Sequence, residues 1–186
     1  KLGAEFIDRA IAFGNTNLGI YGMVNHPNIT VDTTADLPAG GGWTADTGAN
    51  ILTDLLYMID TIETDTNEAY AATDLWIAQS PKSVLQTKFV TGGTDVVAVL
   101  DRVKQLRPGI NIQFWNALNL ANSTSNGPRA IAYQRDKDVA RIVVPKPLTT
   151  VPPQAHLLSV RVVGEGSCGG VSWRQIRGAR YFDDLA

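Results

Sequence analysis

Residues 74–89, DLWIAQSPKSVLQTKF, decide the fold class. Asp74-Leu75-Trp76-Ile77-Ala78-Gln79 is a short apolar and aromatic run that reads as a largely buried strand. It feeds Ser80-Pro81, a helix N-cap followed by proline at N1, so a short helix is expected to about Phe89. Upstream, Ile51, Leu52, Leu55, Leu56, Ile59 and Ile62 recur with a 3.6-residue period, and Thr44 or Thr47 supplies the cap. Downstream, Thr94 is expected to cap a further helix with Val96, Val97, Leu100, Val103 and Leu106 turned inward. Arg107-Pro108-Gly109 ends it. Ile110 to Trp115 then alternates as a strand, and Ala130-Ile131-Ala132-Tyr133 returns as another. Helices interleaved with strands in this way predict an α+β domain with a mixed sheet flanked by helices.

Working outward, Leu2, Phe6, Ala10 and Phe13 recur at helical spacing, Ile7 and Ile11 widen the stripe, and Gly14 supplies the stop. A chain that opens inside an amphipathic helix, without an initiator Met, is expected to have an upstream part. Asn15 to Pro27 is glycine-punctuated and irregular, and Leu37-Pro38-Ala39-Gly40-Gly41-Gly42-Trp43 reads as an exposed loop. Beyond the central segment, Asn119 to Pro128 is a polar tip between apolar elements. Pro145, Pro147, Pro152 and Pro153 mark an extended connector. Leu158, Val160 and Val162, then Val171 and Trp173, alternate with polar residues as a terminal β-hairpin.

Composition limits what such a chain can be. With 16 Lys+Arg against 18 Asp+Glu the net charge is −2, and 44% of its 186 residues are hydrophobic. That excludes intrinsic disorder and the overall basic footprint of a duplex-DNA binder. The single Cys168 cannot close an intramolecular disulfide, which fits a reducing compartment. No apolar run approaches the ~20 residues of a membrane helix, so no membrane partner is expected.

The chemical motifs are weak. Gly164-Glu165-Gly166-Ser167-Cys168-Gly169 is a literal G-x-G-x-x-G after a strand, yet the residues that follow alternate like a strand instead of opening a helix. A hairpin turn is therefore expected in place of a dinucleotide site. His26 and His156 lack the converging partners a zinc site needs. The acids Asp60, Glu63, Asp65 and Glu68 lack calcium-loop spacing and read as a solvated helix end. No catalytic residue, cofactor or metal ligand is predicted. Arg174, Arg177 and Arg180, interleaved with Trp173 and Tyr181, form the densest basic cluster. Three readings stay open for it: a base- or phosphate-contacting patch, the polar face of a strand, or an ion-pair site at a subunit contact.

Taken in order, these parts resemble the back half of a tailed-phage major capsid protein of the Hong Kong 97 type. The resemblance rests on the helix end Glu5 to Gly14 and on Gly19-Ile20-Tyr21-Gly22-Met23-Val24-Asn25-His26-Pro27-Asn28-Ile29. The helix Ile51 to Ile62, the strand-Ser-Pro-helix Leu75 to Phe89, a helix-strand pair, and a close from Gly170-Val171-Ser172-Trp173 to Tyr181-Phe182-Asp183 follow. It implies that 1–47 is the end of a peripheral-domain helix with glycine-rich loops, 48–150 an axial domain, and 151–186 a β-hairpin returning to the peripheral domain. It also implies self-association into pentameric and hexameric capsomers of an icosahedral head, assembled in the host cytoplasm, with packaged DNA at the inner surface. The piece lacking its arms would be monomeric or weakly associated. Asn119, Asn122, Ser123, Thr124, Ser125, Asn126 and Gly127 are the candidate ring tip. Trp43, Trp173, Arg174, Arg177, Arg180 and Tyr181 are the candidate lateral contacts. Two alternatives remain: an encapsulin-like compartment shell, which shares the fold, and a ligand-binding or enzymatic α+β domain using Gly164–Gly169 or the Asp60–Glu68 acids.

Overall fold

The structure, a computed structural model, describes residues 2–40, 42–92, 95–120, 127–156 and 159–185. In chain order its elements are α1 (Leu2–Phe13), β1 (Gly14–Asn15), β2 (Ile20–Tyr21), β3 (Val31–Thr33), α2 (Gly48–Asp65), β4 (Asp74–Ala78), α3 (Lys82–Thr87), β5 (Phe89–Gly92) and β6 (Asp95–Ala98). There follow α4 (Val99–Leu106), β7 (Asn111–Trp115), β8 (Ala130–Tyr133), β9 (Ala140–Ile142), β10 (Lys146–Thr150), β11 (Gln154–His156), β12 (Ser159–Arg161), β13 (Gly164–Ser167), β14 (Val171–Trp173) and β15 (Ala179–Asp183). They fall into two units: Lys1–His26 with Ala140–Trp173, and Pro27–Val139 with Arg174–Ala186. The divisions lie at 26/27, 139/140 and 173/174, away from the 47/48 and 150/151 bounds the sequence suggests.

The larger unit is built on a mixed five-stranded sheet in the order β3-β15-β8-β4-β7. β15 runs parallel to β3 and antiparallel to β8, while β4 runs antiparallel to β8 and parallel to β7. Side chains alternate across a strand, so Leu75 and Ile77 of β4, Ala130 and Ala132 of β8, and Phe182 of β15 share one face. Against it pack Ile51, Leu55, Met58, Ile59 and Ile62 of α2 and Val99 and Val103 of α4, all buried. The predicted 3.6-residue stripe of α2 is thus the core stripe. Thr47 caps this helix, its side chain accepting the Asn50 N–H at 3.3 Å. On the opposite face Trp76 meets Trp115 and Tyr133 edge to face, with centroids 5.3 and 6.0 Å apart. Burial there, then the neighbouring Asp74 charge, pushes the Tyr133 hydroxyl up to about 12.

Two expectations fail here for one reason. The helix predicted from Thr94 begins only at Val99, and Val96 and Val97 lie in β6, which pairs with β5 as a hairpin. Val96 is 64% exposed and Leu106 41%, so neither is inward; Thr94 itself lies outside the described residues. Likewise α3 is capped at Pro81 without a side-chain bond and stops at Thr87, and Phe89 opens β5. Val90 and Val97 fit a helical stripe and a strand face equally well over so short a window, and hairpin pairing decides between them.

The last strand closes the sheet. Asp183 of β15 forms a buried, two-pronged pair with Arg129, Nε to Oδ1 at 2.5 Å and Nη2 to Oδ2 at 2.7 Å. The same guanidinium lies 4.5 Å from the ring centroid of Tyr181.

In the smaller unit the glycine-rich passage caps α1. The last carbonyls of a helix lack intrahelical donors. Here Ile11 O and Ala12 O accept the N–H groups of Met23 and Val24 at 2.8 and 3.1 Å, and Phe13 O accepts Asn25 Nδ2 at 2.8 Å. Gly22 makes this approach possible, since a Cβ there would lie 2.1 Å from Ala12 O.

The remainder of the unit is made of antiparallel pairs, β9 with β14, β10 with β13, and β11 with β12. This corrects three readings. The proline-rich connector contains β10, a paired strand. Gly164–Ser167 is strand β13 and not a turn. Val171 and Trp173 pair with β9 and not with Val160, so the predicted terminal hairpin does not form, and β14 and β15 belong to different sheets.

Removing one partner of a buried ion pair leaves the other charge uncompensated. Arg129→Met is therefore expected to lower the unfolding free energy by about 3–5 kcal/mol in urea titration. The double variant Arg129→Met/Asp183→Leu should recover most of that loss; a silent single variant would contradict the assignment.

Candidate assembly interface

The candidate contact residues separate into those that hold the fold and those that face outward. Trp43 is fully buried, with its indole N–H donating to Asp54 Oδ2 at 3.2 Å, while the Ala39 N–H donates to Asp54 Oδ1 at 3.0 Å. Trp43 is thus a core residue and not a lateral contact. The loop expected to be exposed is stitched onto α2, with Leu37 buried beside it. Tyr181 is corrected in the same way: it is fully buried beneath Arg129.

The arginine cluster resolves into three different environments. Arg180 grips Asp32 with Nε to Oδ2 at 2.6 Å and Nη2 to Oδ1 at 2.8 Å, and its Nη1 also pairs with Asp65. It therefore ties edge strand β3 and the end of α2 to β15, an ion pair within the chain. Arg177 is exposed and, with Thr30, Ile62, Asp65, Ala179 and Arg180, lines a hollow of about 170 Å³. Arg174 is exposed and stands 3.7 Å from Asp138, itself exposed, a contact worth little in water. In the smaller unit, half-buried Trp173 donates its indole N–H to Gly22 O at 3.4 Å. Of the six lateral candidates, Arg174 and Arg177 alone present exposed side chains.

The acids fit the same pattern. Asp60 receives Arg107 through Nε and Nη2 at 3.0 and 2.7 Å, and Asp65 is taken up by Arg180. Asp60 and Asp65 are consumed by intrachain pairs on opposite sides of α2.

The candidate ring tip is framed by two anchored residues. Asn119 Oδ1 accepts the Ser80 N–H at 3.0 Å, and Asn119 Nδ2 donates to Asn116 Oδ1 at 2.8 Å. Gly127 sits against Asp184, whose Cα would be 2.9 Å from a Cβ placed there. Asn122, Ser123, Thr124, Ser125 and Asn126 lie outside the described residues.

Sequence reasoning missed Asp54, Arg129 and Asn25. Each is a polar residue in an ordinary setting whose partners are remote or lie in an irregular segment. A lone acid inside the apolar stripe of α2 is the one signal that could have found Asp54.

The chain shares the fold of viral coat subunits. It is similar to the capsid of Myoviridae Phage XM1 with a TM-score of 0.84 at 15% identity, covering 99% of this chain and 62% of that one. It is also similar to a virus-like particle from Pyrococcus furiosus (TM-score 0.58, 13% identity, 85% of this chain and 57% of that one). A phage-related protein from Bordetella bronchiseptica gives 0.56 at 10% identity, covering 88% and 60%. The chain thus spans about three fifths of the length of these structures. No curated protein sequence matches it. A family model described as Major capsid protein matches residues 2–185, and the chain belongs to that family.

Burial raises the Asp54 carboxyl above its ordinary value, and the Ala39 and Trp43 donors only partly offset this. The folded state then binds the Asp54 proton more tightly than the unfolded state does. Its contribution to stability is full below the ordinary carboxylate range and is lost as pH rises through the elevated folded value. Relative to Asp54→Asn, which cannot titrate, the wild type should lose stability as pH rises upward from the ordinary carboxylate range in denaturant titrations. A constant difference, or one of opposite slope, would contradict the assignment.

Proposed function

We propose that this chain is the main body of a phage coat subunit, one that assembles with copies of itself into capsomer rings and then a closed icosahedral head around DNA. The supporting observation is the likeness to the Myoviridae phage capsid, which extends over 99% of the chain, together with the family match. The larger unit takes the role of the axial domain that surrounds the ring axes, and the smaller unit takes that of the peripheral domain. Ring contacts are heterologous, one patch meeting a different patch on the neighbour, so closure follows from rotation and not from a self-complementary face. Such a subunit needs rigidity and defined edges. The internal use of Arg129, Arg180 and Arg107 supplies rigidity, and Arg174 and Arg177 remain as polar edge groups.

In this reading Asn119, Asn122, Ser123, Thr124, Ser125, Asn126 and Gly127 are the ring-tip residues. The weaker likeness to the virus-like particle keeps a compartment shell as the second reading, separated from the first by what the particle encloses.

Expression of the complete gene product should yield rings or closed particles by electron microscopy, and particles from infected cells should protect DNA from nuclease. A monodisperse monomer under all assembly conditions would defeat the proposal. Deleting Ser123 to Asn126 should leave the melting temperature within a few degrees while impairing ring formation, because it removes only polar tip residues. An unchanged particle yield would remove the segment from the ring axis.

A further inference from the structure

Two turns of the larger unit meet back to back: 134–138, which follows β8, and 174–178, which precedes β15. The Gln134 N–H donates to Gly178 O at 3.0 Å, and the Arg174 N–H donates to Val139 O at 2.9 Å. Gly178 permits the approach, because a Cβ there would lie 2.9 Å from the buried Val139 side chain. The joint gathers residues remote in sequence, Arg135 and Lys137 with Arg174 and Arg177, and all four are exposed. The carboxylates of the two turns are Asp136 and Asp138. Four cations against two carboxylates leave the joint at +2, on a chain whose net charge is −2. Asp136 Oδ1 accepts the Asp138 N–H at 2.7 Å, and Asp138 stands 3.7 Å from Arg174. Among the described residues Arg135, Lys137 and Arg177 make no ion pair.

This joint separates the readings open for the arginine cluster. Arg180 lies on β15 and is engaged by Asp32 and Asp65. Arg174 and Arg177 stand before β15 and after β14, so neither belongs to the polar face of a strand. A contact between subunits would need a matching acidic patch, and Asp32, Asp60, Asp65 and Asp183 are already held by arginines of their own chain. We propose that Arg135, Lys137, Arg174 and Arg177 form a phosphate-contacting surface for duplex DNA, an inference that rests on the reading of this chain as a shell subunit around DNA. Long exposed cations suit phosphate oxygens, and such contacts need no base recognition. The attraction is local, because surface charges farther off than about 10 Å are screened at ordinary salt. A joint at +2 holds a free duplex weakly. DNA enclosed by a shell meets many copies at once, and contacts weak singly then act at high effective concentration.

The test uses the complete gene product. Unassembled subunits are titrated onto a fluorescent DNA duplex of arbitrary sequence over a range of salt concentrations. Replacing all four residues (Arg135→Gln, Lys137→Gln, Arg174→Gln, Arg177→Gln) should weaken binding at low salt by roughly tenfold or more. The slope of log affinity against log salt should fall by about 3 to 4, since each phosphate contact contributes about 0.9. Each single Gln variant should lower that slope by about 1. An unchanged slope, or wild-type subunits without salt-dependent binding, overturns the proposal. The exposed sites predict wild-type circular dichroism, melting temperature and particle yield for the fourfold variant. Lost particles with DNA affinity intact would make these residues seam contacts and overturn it. In DNA-filled particles, formaldehyde should join DNA to the peptide carrying Lys137. Wild-type protein that makes no particles refutes the shell reading as well, whereas DNA-filled particles without that adduct refute the phosphate surface alone.

Discussion

Strand β15 lies inside the sheet, with β3 on one side and β8 on the other. It is held there by three kinds of force acting together. Phe182 joins the apolar core, the Asp183–Arg129 pair is shielded from water, and Arg180 reaches Asp32 on the edge strand and Asp65 on α2. A charge pair so deeply buried confers little net stability over an apolar replacement, but it penalises any register in which one partner is left alone. Placement of β15, and through it of β3 and the end of α2, is therefore over-determined. The rest of the larger unit depends on that insertion.

This arrangement suits a protein whose usefulness lies in its edges. Several of the charged groups that looked like chemistry in the sequence are used internally: Asp60 holds Arg107 and Asp65 holds Arg180, while Asp54, which the sequence did not single out, holds Trp43 and the loop before α2. Of the six residues expected to make lateral contacts, Arg174 and Arg177 keep exposed side chains. Shell assembly asks for many modest contacts that are strong only in combination. A rigid body with small, repeated patches meets that need better than one with a single large adhesive face.

How much of this could be read from the residues depended on the range of the interactions. The stripe Ile51 to Ile62 and the runs Leu75 to Ala78, Ile112 to Trp115 and Ala130 to Tyr133 carry their periodicity within a few residues, and the structure keeps them as a core helix and three sheet strands. Val96 and Val97 were misleading because a short β-hairpin strand and a helix start share the same apolar spacing. Gly164 to Ser167 looked like a turn because strand-like alternation precedes and follows it, and only pairing with Lys146 to Thr150 makes it a strand. Val171 and Trp173 alternated as expected, but their partner, Ala140 to Ile142, lies about thirty residues upstream. Trp43 sat among glycines and a proline and looked exposed; the acid that draws its indole inward is eleven residues away on α2. Sustained local periodicity indicates element type, short windows leave it ambiguous, and pairing across long separations does not show in either.

Native-state hydrogen exchange resolved by residue examines the role of β15 most directly. The amides of Tyr181, Phe182 and Asp183 should exchange only through global unfolding, with the same free energy and denaturant dependence as those of Leu75 to Ile77 at the centre of the sheet. Exchange of the β15 amides through a lower-energy local opening, while β4 and β8 stay protected, would show that the sheet stands without its last strand and would contradict the account.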